Sequence, residues 1–280
     1  MTSDVGQRRS HGSPAGAATL EQVAGLRWRA PRQAAELAQE VLVAAAERGE
    51  AGDWLRAAGW LLYGRSAVGD ARDIALDLLA DVDTRAGRDV LRRPEAGRLR
   101  VELAALAQSN GDPEIARDLL DGWLPAGPDG GAEQVELELD RLAVLVRCAL
   151  VDGADDLPDL RAAVDTLSRR LNGEPEALAE LLLGSVHRDD GEPAEAAERA
   201  LRGLARLGWT PADPASPPRS PHLGCALLSQ WATALMEDGA AADIPDGVRH
   251  LEVADGGRHG VLWRLAVARA FAGEARPTVD

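Results

Sequence analysis

The sequence predicts an all-α protein, an α-solenoid of about 11–13 helices arranged as antiparallel hairpins. Its apolar residues are mostly Ala, Leu and Val, with one Phe and one Tyr in 280 residues. Ala and Leu favour helix, whereas aromatic and β-branched residues favour strands. A short turn pattern, Gly followed by an acidic residue and often by Pro, also returns about every 40 residues. No segment has an apolar–polar alternation long enough to predict a strand.

The clearest turn is Gly111-Asp112-Pro113. Gly111 suits the residue after a helix end, because glycine readily adopts positive φ. Asp112 is expected to cap the next helix by accepting from its free N–H groups. Pro113 fits the first helical position, where its missing N–H has no cost. Ala116 is small enough to let two helices cross closely.

The turns near residues 29, 69, 111, 153, 191 and 239 each separate two helices, and helical periodicity begins near Leu20. The helices before the turns are predicted at 53–67, 94–109, 133–151, 174–189, 222–238 and 258–272. The helices after the turns are predicted at 31–48, 70–83, 113–123, 158–171, 193–207 and 245–254.

The chain is expected to hold one folded domain. Residues 1–18 are small and polar, which predicts a disordered tail. Residues 19–275 form the predicted repeat domain. A Pro-rich loop at 209–221 interrupts it, with five prolines between Thr210 and Pro221, and this loop is expected to be irregular and mobile.

The pattern resembles the tetratricopeptide repeat (TPR), in the degenerate form found in actinobacterial regulatory proteins. The matching apolar and small positions are Leu103, Ala104 and Ala116 around Gly111, with Pro128 as the terminal proline, and Leu183, Gly184 and Ala196 around Gly191. The spacing near 40 is longer than the 34-residue TPR period. The resemblance implies stacked helix pairs and a concave groove lined by the first helix of each pair.

Charge and cysteine content restrict the partners. A net charge of −15 disfavours nucleic-acid binding, because an acidic chain repels phosphates. The two cysteines are far apart and predict no disulfide framework. The sequence shows neither an apolar run of membrane-spanning length nor a signal peptide. A cytoplasmic protein without a membrane partner is therefore expected.

Two motifs resemble a metal-binding or catalytic motif, but each is better explained as the end of a helix. Asp155-Asp156-Leu157-Pro158-Asp159 has the DDxxD form that binds Mg²⁺ in class I terpene synthases, yet no second metal motif follows it. His187-Arg188-Asp189 matches the catalytic-loop triplet of protein kinases, yet no Gly-rich loop or D-F-G accompanies it. We interpret the first as an acidic helix start and the second as a basic helix end.

Other reactive residues are scattered. His222, His250 and His259 lack the i, i+4 spacing of a metal site. No G-x-S-x-G motif is present. The sequence thus predicts no catalytic residue, metal or cofactor. Most of the seven tryptophans, including Trp60 and Trp231, are expected to fill the core between helices.

The resemblance places groove-lining positions 13, 10, 6 and 3 residues before each turn Gly. These positions hold Arg56, Arg98, Arg147 and Arg188, one in each of four successive units, with Tyr63 and Gln108 as further contacts. The same count reaches Leu150 and Ser185. Arginine forks bind carboxylates in bidentate fashion, which predicts an acidic or C-terminal peptide ligand. The alternative is that these arginines are solvated charges paired within their own helices.

The predicted function is a non-enzymatic, regulatory scaffold that binds a protein or peptide in its groove. One alternative is a sensor of a small molecule or signalling peptide that switches a partner. The other is a helical enzyme of unrecognised type. A long open groove would favour the scaffold, whereas polar residues deep in a pocket would favour the enzyme.

Overall fold

The computed structural model describes residues 19–67, 69–85, 88–123 and 131–245. Over these ranges the regular structure is helical, and no β-strand is present in them. The α-helices are α1 (Leu20–Leu26), α2 (Pro31–Arg48), α3 (Ala51–Ala67), α4 (Arg72–Arg85), α5 (Gly97–Ser109), α6 (Pro113–Leu120), α7 (Ala132–Asp152), α8 (Leu157–Ser168), α9 (Glu174–Asp189), α10 (Pro193–Arg206) and α11 (Pro221–Glu237). Three short 3₁₀ segments lie at Arg88–Arg92, Pro94–Ala96 and Ala241–Asp243.

The structure confirms the all-α prediction and the helices predicted between residues 31 and 238, whose ends agree to about three residues. The sequence indicated helical periodicity near Leu20 but did not define α1 as a separate helix. The predicted tail at 1–18, the helices at 245–254 and 258–272, Pro128, His250 and His259 lie outside the described residues.

The turns before and after the helices depend on glycine. Gly69, Gly111, Gly153, Gly191 and Gly239 all have positive φ, between 63° and 87°. This left-handed conformation ends a helix at little cost only for glycine. The predicted turn chemistry is therefore confirmed at five positions along the chain.

The predicted capping role of Asp112 is wrong. Its side chain makes no capping hydrogen bond, and its backbone has φ −112° and ψ 66°. Glu192, which also precedes a proline, has nearly the same backbone, with φ −110° and ψ 63°. A ψ of 66° lies outside the extended range in which an N-cap side chain reaches the next turn.

The helices pack on their neighbours along the chain. Packing joins α2 to α3, α3 to α5, α5 to α6 and α7, α7 to α8 and α9, and α9 to α10 and α11. The buried apolar residues form three clusters, one over α1–α5, a small one centred on α5–α7, and one over α7–α11. Ala116 is fully buried in the small cluster, which agrees with the predicted close packing there.

A glycine sets the contact between α3 and α5. A Cβ atom at Gly59 would lie 2.7 Å from the Arg98 side chain and 2.7 Å from the Leu99 amide nitrogen. No larger residue fits without a shift of α5, because real Cβ contacts are longer than this. The close approach places Arg98 directly over the neighbouring Trp60 ring.

The tryptophans fill the core as predicted. Trp60, Trp209 and Trp231 are buried, and Trp54 is buried as well. The Trp209 and Trp231 rings meet edge to face with centroids 5.6 Å apart. Such an aromatic pair contributes about 0.5–1.5 kcal/mol beyond the area that it buries. Trp263 lies outside the described residues.

The Pro-rich loop before α11 is irregular, as predicted, and its ends are anchored. The Trp209 indole donates to the carbonyl oxygen of Pro214 at 3.3 Å. The Arg219 guanidinium donates to the carbonyl oxygen of Arg206 at 3.1 Å. Ser220, which is fully buried, ends the loop. The predicted mobility of Thr210–Pro221 stays a prediction.

None of the helices in the described ranges is long and apolar enough to cross a membrane.

Candidate functional site

Asp140 on α7 joins two arginines from distant parts of the chain. Its carboxylate accepts from Arg98 of α5 at 2.8 Å, and from Arg27 at the end of α1. Arg27 also pairs with Glu136, one turn earlier on α7, at 2.9 Å. Since Asp140 is 8% exposed, Arg98 6% and Arg27 2%, their ion pairs lie in the interior.

Aromatic rings surround the two guanidinium groups. Arg98 lies over the Trp60 ring at 4.1 Å from its centroid. Arg27 lies over the Trp28 ring at 4.1 Å and over the Tyr63 ring at 5.2 Å. The faces of aromatic rings attract cations, and more strongly where water is excluded. The rings thus hold both arginines in place while the carboxylates neutralise them.

Glu102 completes this group. It lies one turn after Arg98 on α5, with the carboxylate 3.6 Å from the guanidinium. Burial raises the pKa of Glu102 to about 7, although Arg98, Arg27 and Arg147 oppose the increase. We name Arg27, Arg98, Glu102, Glu136 and Asp140 the Asp140 cluster.

Burial and pairing act on Arg27 in opposite directions. Burial alone would lower its pKa, but the charges of Asp140 and Glu136 and the nearby Tyr63 raise the pKa above its ordinary value. Arg27 is therefore a permanent cation in the interior. A buried cation of this kind is stable only while its carboxylate partners remain.

The sequence contained part of this cluster. Arg98 and Asp140 occupy the same position relative to the turn glycines that follow them, Gly111 and Gly153. Equivalent positions on successive first helices face each other when helix pairs stack, so the opposite charges favour an ion pair over the predicted groove role of Arg98. Asp140, Arg27, Glu136 and Glu102 were missed as members of a site. The pairing of Arg27 spans more than 100 residues, and no local pattern indicates such a contact.

The predicted groove residues lie in different environments. Arg98 and Tyr63 belong to or border the Asp140 cluster, and the Tyr63 hydroxyl donates to the carbonyl oxygen of Arg27 at 3.3 Å. Arg56 is half exposed and pairs at 3.0 Å with Asp53 on its own helix. Gln108 is partly buried in the last turn of α5. The expected stripe of four free arginines is thus interrupted at Arg98 and Arg56, whose charges are paired.

Arg147 is exposed and lies near the Asp140 cluster. Its side chain is exposed on α7. Desolvation by the surrounding protein lowers its pKa, and the charges of Asp140 and Glu102 oppose that decrease. Those two charges therefore act on Arg147 without neutralising it in an ion pair.

Arg188 lines a recess of about 610 Å³. The residues that line this recess are Leu150, Ser185, Arg188, Asp189, Gly191, Pro193 and Glu237. The Arg188 guanidinium lies 3.9 Å from the Glu237 carboxylate, and both side chains are partly exposed. At this length and exposure the pair is weak, so Arg188 can exchange its partner.

The motifs interpreted as helix ends have structural partners. Asp156 of the DDxxD motif pairs with Arg117 of α6 at 2.9 Å. The His187 imidazole lies 2.6 Å from Glu192, next to the turn that ends α9. Within the described residues, no group of three His, Cys, Asp or Glu side chains is arranged to hold a metal ion.

Comparison of the chain with protein-family models, with curated proteins and with solved structures finds no match in any of the three.

Proposed function

We propose that this protein is a TPR-like α-solenoid that serves as a non-enzymatic, regulatory scaffold for an acidic peptide. The order of helix packing supports the solenoid. The first helices α3, α5, α7, α9 and α11 pack on one another in succession, and α6, α8 and α10 pack beside them. In repeat proteins each hairpin buries its apolar face against its neighbours, which gives this order of contacts.

The recess around Arg188 is the observation that carries the proposal. Leu150, Ser185 and Arg188 line it. Leu150 and Arg188 each stand one helical turn before a turn glycine, Gly153 or Gly191, and Ser185 stands a further turn back. These are the groove positions that the TPR resemblance assigns to α7 and α9. Residues chosen from the sequence by their spacing alone thus meet around one cavity.

The available charges indicate the ligand. Arg147 lies on α7 one turn before Leu150, so both belong to one face of that helix. Arg147 is accessible, and Arg188 has only a weak pair with Glu237. Two accessible arginines beside an apolar Leu150 suit a peptide that combines carboxylates with an apolar side chain.

Peptide binding by charge-matched variants tests this function. Fluorescein-labelled decapeptides rich in Asp, Glu and Leu would be titrated with the full chain, and binding would be measured by fluorescence anisotropy. We expect micromolar binding that weakens at high salt. The double variant R147A/R188A should weaken binding at least about tenfold, since each charged hydrogen bond contributes about 1.5–3 kcal/mol.

The matched control is R169A/R206A. It also removes two positive charges, but from the ends of α8 and α10, which are the second helices of their pairs. Both control side chains are more than half exposed, and they pair with Asp165 and Glu176. The control should bind as the wild type does. If both double variants weakened binding equally, the effect would come from the net charge of the protein and not from the groove. If no acidic peptide bound the wild type, the result would contradict the proposed function.

A further inference from the structure

Residues 27–29 between α1 and α2, which we name the strap, contact side chains of α7 and α9, which lie far along the chain. Arg27 reaches Glu136 and Asp140 on α7. The Arg29 guanidinium lies 3.8 Å from Glu174, the first residue of α9. These contacts join residues separated by more than 100 positions, although α1 itself packs on its neighbours α2 and α3.

The backbone of the strap is recognised by side chains. The carbonyl oxygen of Arg27 accepts from the Tyr63 hydroxyl at 3.3 Å. The carbonyl oxygen of Trp28 accepts from the Ser220 hydroxyl at 2.9 Å. The Trp28 side chain packs against the apolar cluster formed by α7–α11. Two successive carbonyl groups are thus bound from two distant elements, as occurs when a protein binds a peptide.

The surface beneath the strap has the chemistry of an arginine site. Glu136 and Asp140 supply the carboxylates, and Tyr63 and Trp60 supply aromatic faces. The fit is incomplete, because the Arg27 Nε atom is buried without a hydrogen-bond partner in the described part of the chain. An unmade hydrogen bond in the interior is unfavourable, so the strap is not the best possible ligand for this surface.

We propose that the strap is a tethered ligand, and that the surface beneath it binds a partner peptide in which arginine is followed by an aromatic residue. This site differs from the recess around Arg188. Its residues Tyr63, Glu136, Asp140, Glu174 and Ser220 do not line that recess. The two proposals can therefore fail independently.

A strap peptide supplied in trans tests the proposal. The probe is a fluorescein-labelled peptide with the sequence of residues 19–30, which contains the strap. The protein is the full chain carrying R27A/W28A, which removes both strap side chains. We expect the peptide to bind this variant at least about tenfold more tightly than it binds the wild type, whose own strap competes with it.

Two controls define the site. A scrambled peptide of the same composition should not bind, and adding D140N to R27A/W28A should reduce peptide binding at least about tenfold. Failure of the strap peptide to bind a folded R27A/W28A variant would overturn the proposal. Equal binding of the strap peptide and the scrambled peptide would also overturn it.

A measurement on the wild type covers the case in which R27A/W28A does not fold, as judged by circular dichroism. Amide hydrogen exchange should then show residues 20–30 opening locally, faster than α3 and α7 and with little dependence on denaturant. Exchange of these amides only through global unfolding would show that the strap is a fixed part of the core, and the proposal would fail.

Discussion

Two arginine–carboxylate networks use the same residue types in different surroundings. The Asp140 cluster lies in the interior, where Arg27, Arg98, Glu102 and Asp140 are all buried. The second network, on α9 and α10, contains Glu180, Glu195, Glu198, Arg199 and Arg202, and of these only Glu180 is buried. Arg202 in the surface network is 43% exposed and Glu195 is 36% exposed. Composition is therefore a poor guide to the role of an arginine in this chain, because burial decides that role.

The difference has energetic consequences. Loss of one partner in the interior leaves another charge buried without compensation, which is strongly destabilising. Loss of one partner at the surface exchanges an ion pair for water, which changes the free energy of unfolding little. The contrast also separates the arginines fixed by the fold from those accessible to a ligand.

Replacement of Asp140 by Ala should give the largest effect. The variant leaves Arg98 with only the 3.6 Å Glu102 contact and Arg27 with only Glu136. We expect a loss of about 3–5 kcal/mol in the free energy of unfolding, the usual result of breaking a buried ion pair. Urea denaturation followed by circular dichroism measures it. A loss below about 1 kcal/mol would remove the distinction between the two networks.

The pH dependence of stability should differ in sign between the networks. Burial raises the pKa of Glu102 to about 7, so the folded state binds more protons than the unfolded state between about pH 4.5 and pH 7. The contribution of Glu102 to stability is therefore favourable at low pH and is lost as the pH rises through this window. The groups that face Glu102 are Arg98, Asp140, Arg27 and Arg147.

Replacement of Glu102 by Gln should remove this pH dependence. Above pH 7 the variant should be more stable than the wild type, by up to about 3 kcal/mol as one pKa unit equals about 1.4 kcal/mol. Below pH 4.5 the two proteins should have similar stability. Thermal unfolding between pH 4 and pH 8 measures the difference, and a variant less stable than the wild type at pH 8 would contradict it.

The uncharged residue Ala116 provides a reference, because the effect expected from overpacking it is intermediate between the effects expected in the two networks. Ala116 is fully buried between α5, α6 and α7 in the small apolar cluster. The variant A116L should lose about 1–3 kcal/mol, because the extra methylene groups have no space. Urea denaturation gives the value. An unchanged midpoint would show that the helices do not cross closely at this residue.

Replacement of Glu195 by Ala should give the smallest effect. The hydrogen bond from Arg202 lowers the pKa of Glu195, with burial opposing this decrease. A lowered pKa contributes stability above about pH 4.5 that is lost as the pH falls, the reverse of Glu102. Because these side chains are solvated, we expect a loss below about 1 kcal/mol at pH 7 that salt reduces further. A loss as large as that of D140A would contradict the comparison.

The sequence predicted the helices well because their ends are encoded locally. Glycine after a helix and proline at the start of the next one act within a few residues, so Gly191 and Pro193 mark their turn without knowledge of the fold. Asp112 shows the limit of this reasoning. Its residue type suits a cap, but its backbone, with ψ 66°, departs from the extended geometry that capping requires.

The candidate site was predicted less completely because its contacts are distant along the chain. Ser185 and Arg188 were placed in the groove by counting from a nearby glycine, which needs only the helical repeat. The neutralisation of Arg98 required comparing Arg98 with Asp140 in the next repeat. Arg27 pairs with α7 across more than 100 residues, and only the three-dimensional structure brings them together.

A double-mutant cycle on Arg98 and Asp140 tests most directly whether Arg98 is bound by the fold rather than free for a ligand. The free energies of unfolding of the wild type, R98A, D140A and R98A/D140A give the coupling energy between the two side chains. We predict a favourable coupling of about 1–3 kcal/mol, at the upper end for residues in direct contact. A coupling of zero within an error of about 0.5 kcal/mol would show that Asp140 does not hold Arg98, and would contradict the separation of structural from available arginines.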